Sequence, residues 1–177
     1  MIIANKAIDE EKRLQALRGL LILDTSPEER FDRITEFASF EFDVPIVLIS
    51  LVDEKRQWFK SFTGITACET SRDVSFCAHA ILLDEIMVVE DATKDERFFD
   101  NPLVTNEPYI RFYAGATLVM STGEKVGTLC LIDKKPKKLS QMELSILSSL
   151  RYMVITELIT RKDQTVGSQK HHQTHNG

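Results

Sequence analysis

The segment Ile46-Val47-Leu48-Ile49-Ser50-Leu51-Val52 leads through Asp53-Glu54-Lys55-Arg56 into Gln57-Trp58-Phe59-Lys60-Ser61-Phe62. The first run is almost entirely Leu or β-branched apolar residues and is too short for a helix. It reads as a central strand covered on both faces. The charged tetrad is a turn. Beyond it, Trp58, Lys60 and Phe62 alternate with Gln57, Phe59 and Ser61, which suits an antiparallel return strand closed by Thr63-Gly64. A strand without a polar face needs a layer on each side, and those layers must come from the rest of the chain.

Upstream, Leu14, Leu17, Leu20 and Leu21 fall at helical spacing within residues 9–23 and predict an amphipathic helix. Asp24-Thr25-Ser26-Pro27 interrupts it. Ser26 then reads as an N-cap, with Pro27 in the first helical position and Glu29 completing a capping box. This second helix carries Phe31, Ile34 and Ala38 on one face and ends near Phe42, ahead of Pro45. Downstream, residues 64–74 read as a polar loop. Ser75 caps a short helix reaching about Leu83, and 86–89 is a short strand. Thr93 with Glu96 suggests another capping box, opening a short helix with Arg97 and Phe98 that Asp100-Asn101-Pro102 ends or redirects. Residues 110–120 and 126–132 form a hairpin about Ser121-Thr122-Gly123-Glu124. Lys134 to Lys138 is a basic, solvated loop. Ser140 with Glu143 opens a long helix to about Arg161, followed by a polar stretch read as a frayed tail. Hairpins between helices give an α+β domain: an antiparallel sheet with helical layers.

The chain has 177 residues, 22 Lys plus Arg against 27 Asp plus Glu, hence a net charge of −5, with 43% apolar residues. This is one domain's length, with enough apolar content to bury a core. The acidic balance argues against nucleic acid or anionic lipid as partners. Cys68, Cys77 and Cys130 are odd in number and widely spaced, which fits a reducing compartment better than a disulfide framework. With no signal-peptide pattern and no apolar run approaching the ~20 residues of a membrane span, the expected location is the cytoplasm.

An ordered set of local patterns resembles the GAF domain, in the bacterial sensor form found ahead of diguanylate cyclase or histidine kinase modules. The patterns begin with Asn5, Glu11-Lys12-Arg13-Leu14, Leu20 to Thr25, Pro27-Glu28-Glu29 and Phe31-Asp32. They continue with Pro45-Ile46 through Asp53, Arg56 to Ser61, Ser75 to Ile81, Asp91, Asp95-Glu96-Arg97-Phe98 and Asn101-Pro102. Ile110 to Gly115, Gly127 to Asp133 and Pro136 complete them. The resemblance implies a GAF-like, PAS-related central antiparallel sheet. Terminal helices lie on one face and short helices roof a small-molecule pocket on the other. It divides the chain into an N-terminal helix serving as a dimerisation and packing arm at 1–25, a GAF domain with its C-terminal helix at 26–162, and a polar flexible tail at 163–177. Thr117 and Ser71 stand where many relatives carry Pro, at or near the expected pocket rim, so ligand identity is left open.

Within this frame the candidate pocket residues are Trp58, Phe76, Cys77, His79, Asp91, Arg97, Phe98, Arg111 and Tyr113. Cys77 near a helix start has a depressed pKa if exposed there, or is a small buried hydrophobe. His79 faces a ligand or bonds to backbone. Arg97 suits a carboxylate or phosphate, or else pairs with Asp91 or Asp95 and pins its loop. Trp58 and Phe112 are core or pocket wall. Bilin attachment in related proteins usually places Cys directly before His, and here Ala78 intervenes. Cys-x-His alone does not make a zinc site, and His171, His172 and His175 lack supporting ligands. Three cysteines also raise a second reading, the free methionine sulfoxide reductase branch of the fold, which needs two thiols close in space.

The last helix carries two apolar stripes: Leu144, Leu147, Val154 and Leu158, and Met142, Ile146, Leu150 and Met153. One stripe serves the sheet, so the second points to a partner helix, within the chain or in a second copy. The dimer candidates are Leu14, Leu17, Leu21, Leu147, Leu150, Val154 and Leu158. The resulting expectation is a stand-alone sensory module, not an enzyme. It binds an unidentified small molecule, dimerises, and signals to a separate output protein such as a kinase or cyclase. A ligand-free dimerisation module is the remaining alternative. No cofactor or metal is named.

Overall fold

The computed structural model describes residues 1–173, with side chains through His171. Six strands form one antiparallel sheet. They are β1 Ile46–Val52, β2 Arg56–Thr63, β3 Glu69–Ser71, β4 Met87–Val89, β5 Phe112–Val119 and β6 Lys125–Asp133, in the order β3-β2-β1-β6-β5-β4. The helices are α1 Glu10–Gly19, α2 Glu29–Phe42, α3 Phe76–Ala80, α4 Pro102–Thr105 and α5 Gln141–Gln173. Every residue of β1 is buried, as expected for a strand between two layers. Val47, Ile49 and Leu51 meet the core under α1, α2 and α5, while Ile46 and Leu48 meet the core under α3, α4 and the loops around them. β6 packs tightly on β1: a Cβ at Gly127 would collide with the Ser50 carbonyl.

Several local expectations are corrected. The first helix stops at Gly19. Leu21 and Asp24 adopt left-handed backbone, which turns the chain and drops Ile22 into the core. With Leu17, Leu20 and Ile22 all buried, this N-terminal stretch packs into the chain's own core. Ser26 does not cap α2. Glu28 holds the N-cap position without a side-chain cap bond. Instead, the Lys60 ammonium takes the Thr25 hydroxyl at 2.9 Å and the Ser26 carbonyl at 2.5 Å. Asp91, not Thr93, caps a single 3-10 turn at Ala92–Lys94. Asn101-Pro102 starts a helix, α4, rather than ending one. The loop at 64–74 contains β3 and a 3-10 turn. The Ser140–Glu143 capping box is present, with reciprocal bonds of 3.1 Å. Its helix runs past Arg161 to Gln173, since extending an existing helix adds one hydrogen bond per residue and needs no apolar period. The side chain of His172, and all of His175, lie outside the described residues.

A β-bulge shapes the helix face. Ser50 pairs with Phe59 and Ile49 with Ser61, so Lys60 has no cross-strand partner. The extra residue lets both Lys60 and Ser61 reach α2, where Ser61 bonds Asp32 and Thr35. The Lys60 side chain is fully buried and sits 2.7 Å from Glu28. Burial lowers the Lys60 pKa and Glu28 opposes that shift. Glu28 also receives Arg161 of α5 at 2.5 Å, and Arg161 donates to the Leu21 carbonyl. One carboxylate thus joins the sheet to the C-terminal helix.

A second charged cluster seats α1. Arg13 grips Glu10 with two bonds of 2.8 and 2.9 Å and donates to the Val52 carbonyl at 2.7 Å. Arg72 binds the same Glu10 carboxylate. Burial alone raises the Glu10 pKa, but the two guanidinium groups outweigh it and hold the carboxyl at about 2 instead of 4.5. A depressed carboxylate pKa contributes stability that is complete above the unfolded value and fades as pH falls through the folded one. Glu10→Gln should therefore cost about 1–2 kcal/mol at neutral pH, allowing for solvent screening. It should also flatten the loss of stability between pH 4.5 and 2, as measured by urea unfolding across that range.

Candidate functional site

The face of the sheet opposite α2 and α5 carries an aromatic stack, a buried thiol nest and a cavity. Ser75 caps α3 by accepting from the Ala78 amide at 3.0 Å. α3 then lays Phe76 on Phe98, with ring centres 3.9 Å apart and planes 7° from parallel, and tilts it on Tyr113 at 5.2 Å. His79 meets the Phe98 edge at 4.9 Å, and its Nε2 lies 2.9 Å from the Ile2 carbonyl. Burial lowers the His79 pKa, so the ring is neutral at pH 7. Tyr113 lies over Gly115, where a Cβ would strike the phenol hydroxyl.

That hydroxyl donates to Cys77 Sγ at 3.2 Å. Thr128 Oγ1 donates to the same sulfur at 3.1 Å, and Cys130 Sγ lies 3.9 Å away. Both thiols are buried. Burial raises the Cys77 pKa, but hydrogen bonds from Cys130, Thr128 and Tyr113 outweigh it and hold the thiol below its ordinary value. The Cys130 thiol is pushed up, by burial first and then by its bond to Cys77. The first proton to leave this pair comes from Cys77.

Beside the nest is a cavity of about 420 Å³. Ile46, Leu48, Phe59, Ile110 and Ile132 supply apolar walls, Gln57 and Thr70 polar ones, and Lys134 and Glu107 stand at its edge, 3.3 Å apart. The volume falls in the range of roughly 300–1,000 Å³ usual for small-molecule pockets. Gln57 is already engaged. Its Oε1 accepts from Ser50 at 3.2 Å and Ser75 at 2.8 Å, and its Nε2 donates to Thr70 at 2.5 Å.

None of the pocket residues singled out from the sequence lines this cavity. Trp58 is on the opposite face, in the helix-side core, and its neighbour Phe59 holds the place expected for it. Phe76, Phe98, Tyr113 and Cys77 fill the space under α3 as core. Arg97 is bidentate to Asp95, at 2.9 and 2.7 Å, and covers Phe98. Asp91 is half-buried and spends its carboxylate on Thr93. Arg111 donates to the Val104 and Ile110 carbonyls and pins the segment after α4. The cavity walls from β1 and β2 were available in the sequence: Ile46, Leu48, Gln57 and Phe59 follow from strand alternation once the covered faces are known. Among the described residues, no three His, Cys, Asp or Glu side chains gather as metal ligands, and no helix is long and apolar enough to cross a membrane.

The dimer candidates are also relocated. Leu14, Leu17, Leu147, Leu150, Val154 and Leu158 are buried within the chain, which pairs α5 with its own sheet and α2. Leu21 is 42% exposed. The apolar side chains that do face solvent here are Phe37 and Phe40 of α2 and Met142, Tyr152, Met153 and Ile159 of α5.

Residues 26–158 match the family model of the GAF domain. The chain belongs to the GAF domain family. It is 40% identical over 153 residues to a Pseudomonas aeruginosa protein named as a cyclic di-GMP phosphodiesterase, a match covering 86% of this chain and 26% of that protein. The chain thus spans about a quarter of that relative's length. Among solved structures, the GAF domain of an Acinetobacter phosphoenolpyruvate-protein phosphotransferase is similar at TM-score 0.62 and 20% identity, covering 89% of this chain and 98% of that one. A free methionine-R-sulfoxide reductase of Neisseria meningitidis is similar at TM-score 0.59 and 15% identity, covering 93% and 99%. At these identities the likeness is one of fold.

Gly115→Ala should displace the Tyr113 ring and break its bond to Cys77. The expected cost is about 1–3 kcal/mol of overpacking, read as a lower midpoint of chemical unfolding. The Cys77 thiolate absorbance should then titrate at higher pH, since a donor is lost.

Proposed function

We propose that this chain is a sensory module that takes a small, largely uncharged molecule into the cavity between the sheet and the 64–70 and 103–110 loops. The observation that carries this reading is the cavity itself: apolar walls, a few polar groups, and a volume suited to a metabolite-sized ligand. The cation at its edge, Lys134, is paired with Glu107. Among the described residues no arginine lines the cavity and its lysine is spent on Glu107, so the lining offers no unpaired cation to an anionic nucleotide. The relative's named substrate therefore offers no guide to this module's ligand. Output runs through α5, whose exposed Tyr152, Met153 and Ile159, with Phe37 and Phe40 of α2, form the face for an isologous dimer. The dimer or its C-terminal helix then acts on an output protein such as a kinase or cyclase.

Contact between Cys77 and Cys130 favours one second reading, a thiol-dependent methionine sulfoxide reductase. The burial of both sulfurs away from the cavity walls counts against it. Turnover of free methionine sulfoxide by the purified chain, abolished in Cys77→Ser, would replace the sensory reading with the enzymatic one.

A thermal-shift screen of neutral metabolites should give stabilising hits with the wild-type chain and none with Ile132→Trp, whose indole occupies the cavity. A flat response across a broad panel would leave a ligand-free dimerisation module. Sedimentation equilibrium should show a dimer that Tyr152→Glu with Met153→Glu converts to monomer without changing the circular dichroism spectrum.

A further inference from the structure

The thiol nest is more polar than two buried cysteines need. A cysteine in a core ordinarily acts as a small hydrophobe with a weak S–H donor. Here Tyr113 and Thr128 both aim hydroxyl groups at one sulfur, Cys77 Sγ, at 3.2 and 3.1 Å, and the second sulfur touches it at 3.9 Å. Donors of this kind favour the thiolate, the nucleophilic form of sulfur. No third ligand joins the pair among the described residues, which removes a metal as the reason for the arrangement. The nest also lies close behind the cavity. Gln57 lines the cavity and accepts from Ser75, the cap of α3, and from Ser50 beside Cys77.

We infer that Cys77 and Cys130 form a reversible, peroxide-sensitive disulfide that ties α3 to β6. The Cys77 thiolate attacks one oxygen of hydrogen peroxide, the O–O bond breaks, and hydroxide leaves with the displaced electron pair. Cys77 is then a sulfenic acid. The Cys130 thiol attacks that sulfur, the S–OH bond breaks, and the thiol proton leaves with the hydroxyl as water. Two thiols and one peroxide give one disulfide and two waters, and an external dithiol reverses the change. Closure brings the two sulfurs from 3.9 Å to about 2.05 Å. The bond links positions 53 apart in sequence and joins a five-residue helix to a central strand. It therefore limits how far α3 can move from the sheet beside the cavity. It also removes the thiolate that Tyr113 and Thr128 donate to, so the change is felt on β5 and β6 together.

The test is hydrogen peroxide treatment of the full chain in its Cys68→Ser form, which excludes links through the exposed third thiol. The treated protein is then alkylated in denaturant and its peptides mapped. The expected result is one peptide pair joined through Cys77 and Cys130, loss of both remaining thiols, reversal by dithiothreitol, and a higher thermal midpoint with slower amide exchange across α3. In Cys130→Ala, Cys77 should instead be trapped as sulfenic acid by dimedone. If that variant does not fold, the wild-type chain under the same treatment decides the matter. Recovery of both cysteines alkylated, oxidation of Cys77 to sulfinic acid with Cys130 still free, or a crosslink that forms only in urea would each overturn the inference.

Discussion

The fold depends on a strand that has no solvent face. All seven residues of β1 are buried, so both sides of the sheet must be roofed before the strand is stable at all. Each fully buried Val, Leu or Ile contributes about 1.5–3 kcal/mol, which makes this one segment a large share of the driving force. Its two layers differ in kind. Long helices with apolar stripes seal one side, while short helices, turns and a loop cover the other and leave a cavity. The second side is the one with room for chemistry because short elements cannot interdigitate as densely as α2 and α5 do.

Much of this order is legible in the sequence, and the failures have local causes. The two hairpins read correctly because their turns and apolar runs follow directly from burial, whereas the bulge at Lys60 breaks the alternation expected of β2. The caps divide by competition. Ser75 and Ser140 cap as their motifs predict, since nothing else claims their oxygens strongly enough to displace the bond. Ser26 does not, because the buried Lys60 ammonium demands oxygens and takes the Ser26 carbonyl and the Thr25 hydroxyl. Thr93 loses its place to Asp91, whose carboxylate accepts from the Thr93 amide and hydroxyl together. Helix α5 outruns its apolar pattern because propagation needs only residues that tolerate the helix.

The site is less legible than the fold. The motif around Phe76 and His79 falls on the short helix packed over the sheet, yet a motif does not say which side chains fill space and which leave it open. Phe76, Phe98 and Tyr113 are large enough to fill it themselves. Trp58 is misplaced by one residue of strand register, which in a β-strand means the opposite face. The contact between Cys77 and Cys130 had no sequence signal, since 53 positions separate them and only the packing of α3 over β6 brings the sulfurs together.

The bulge at Lys60 has a further consequence for how this domain tolerates change. A sheet is one peptide thick, so Phe59 in the cavity wall and Lys60 in its ion pair are front and back of the same stretch of backbone. Any substitution that reshapes the wall at Phe59 shifts the origin of a side chain whose ammonium has fixed acceptors at Thr25, Ser26 and Glu28. Glu28 in turn holds Arg161. The evolutionary freedom to alter what the cavity admits is therefore constrained from behind, by the residues that set where the C-terminal helix leaves the domain.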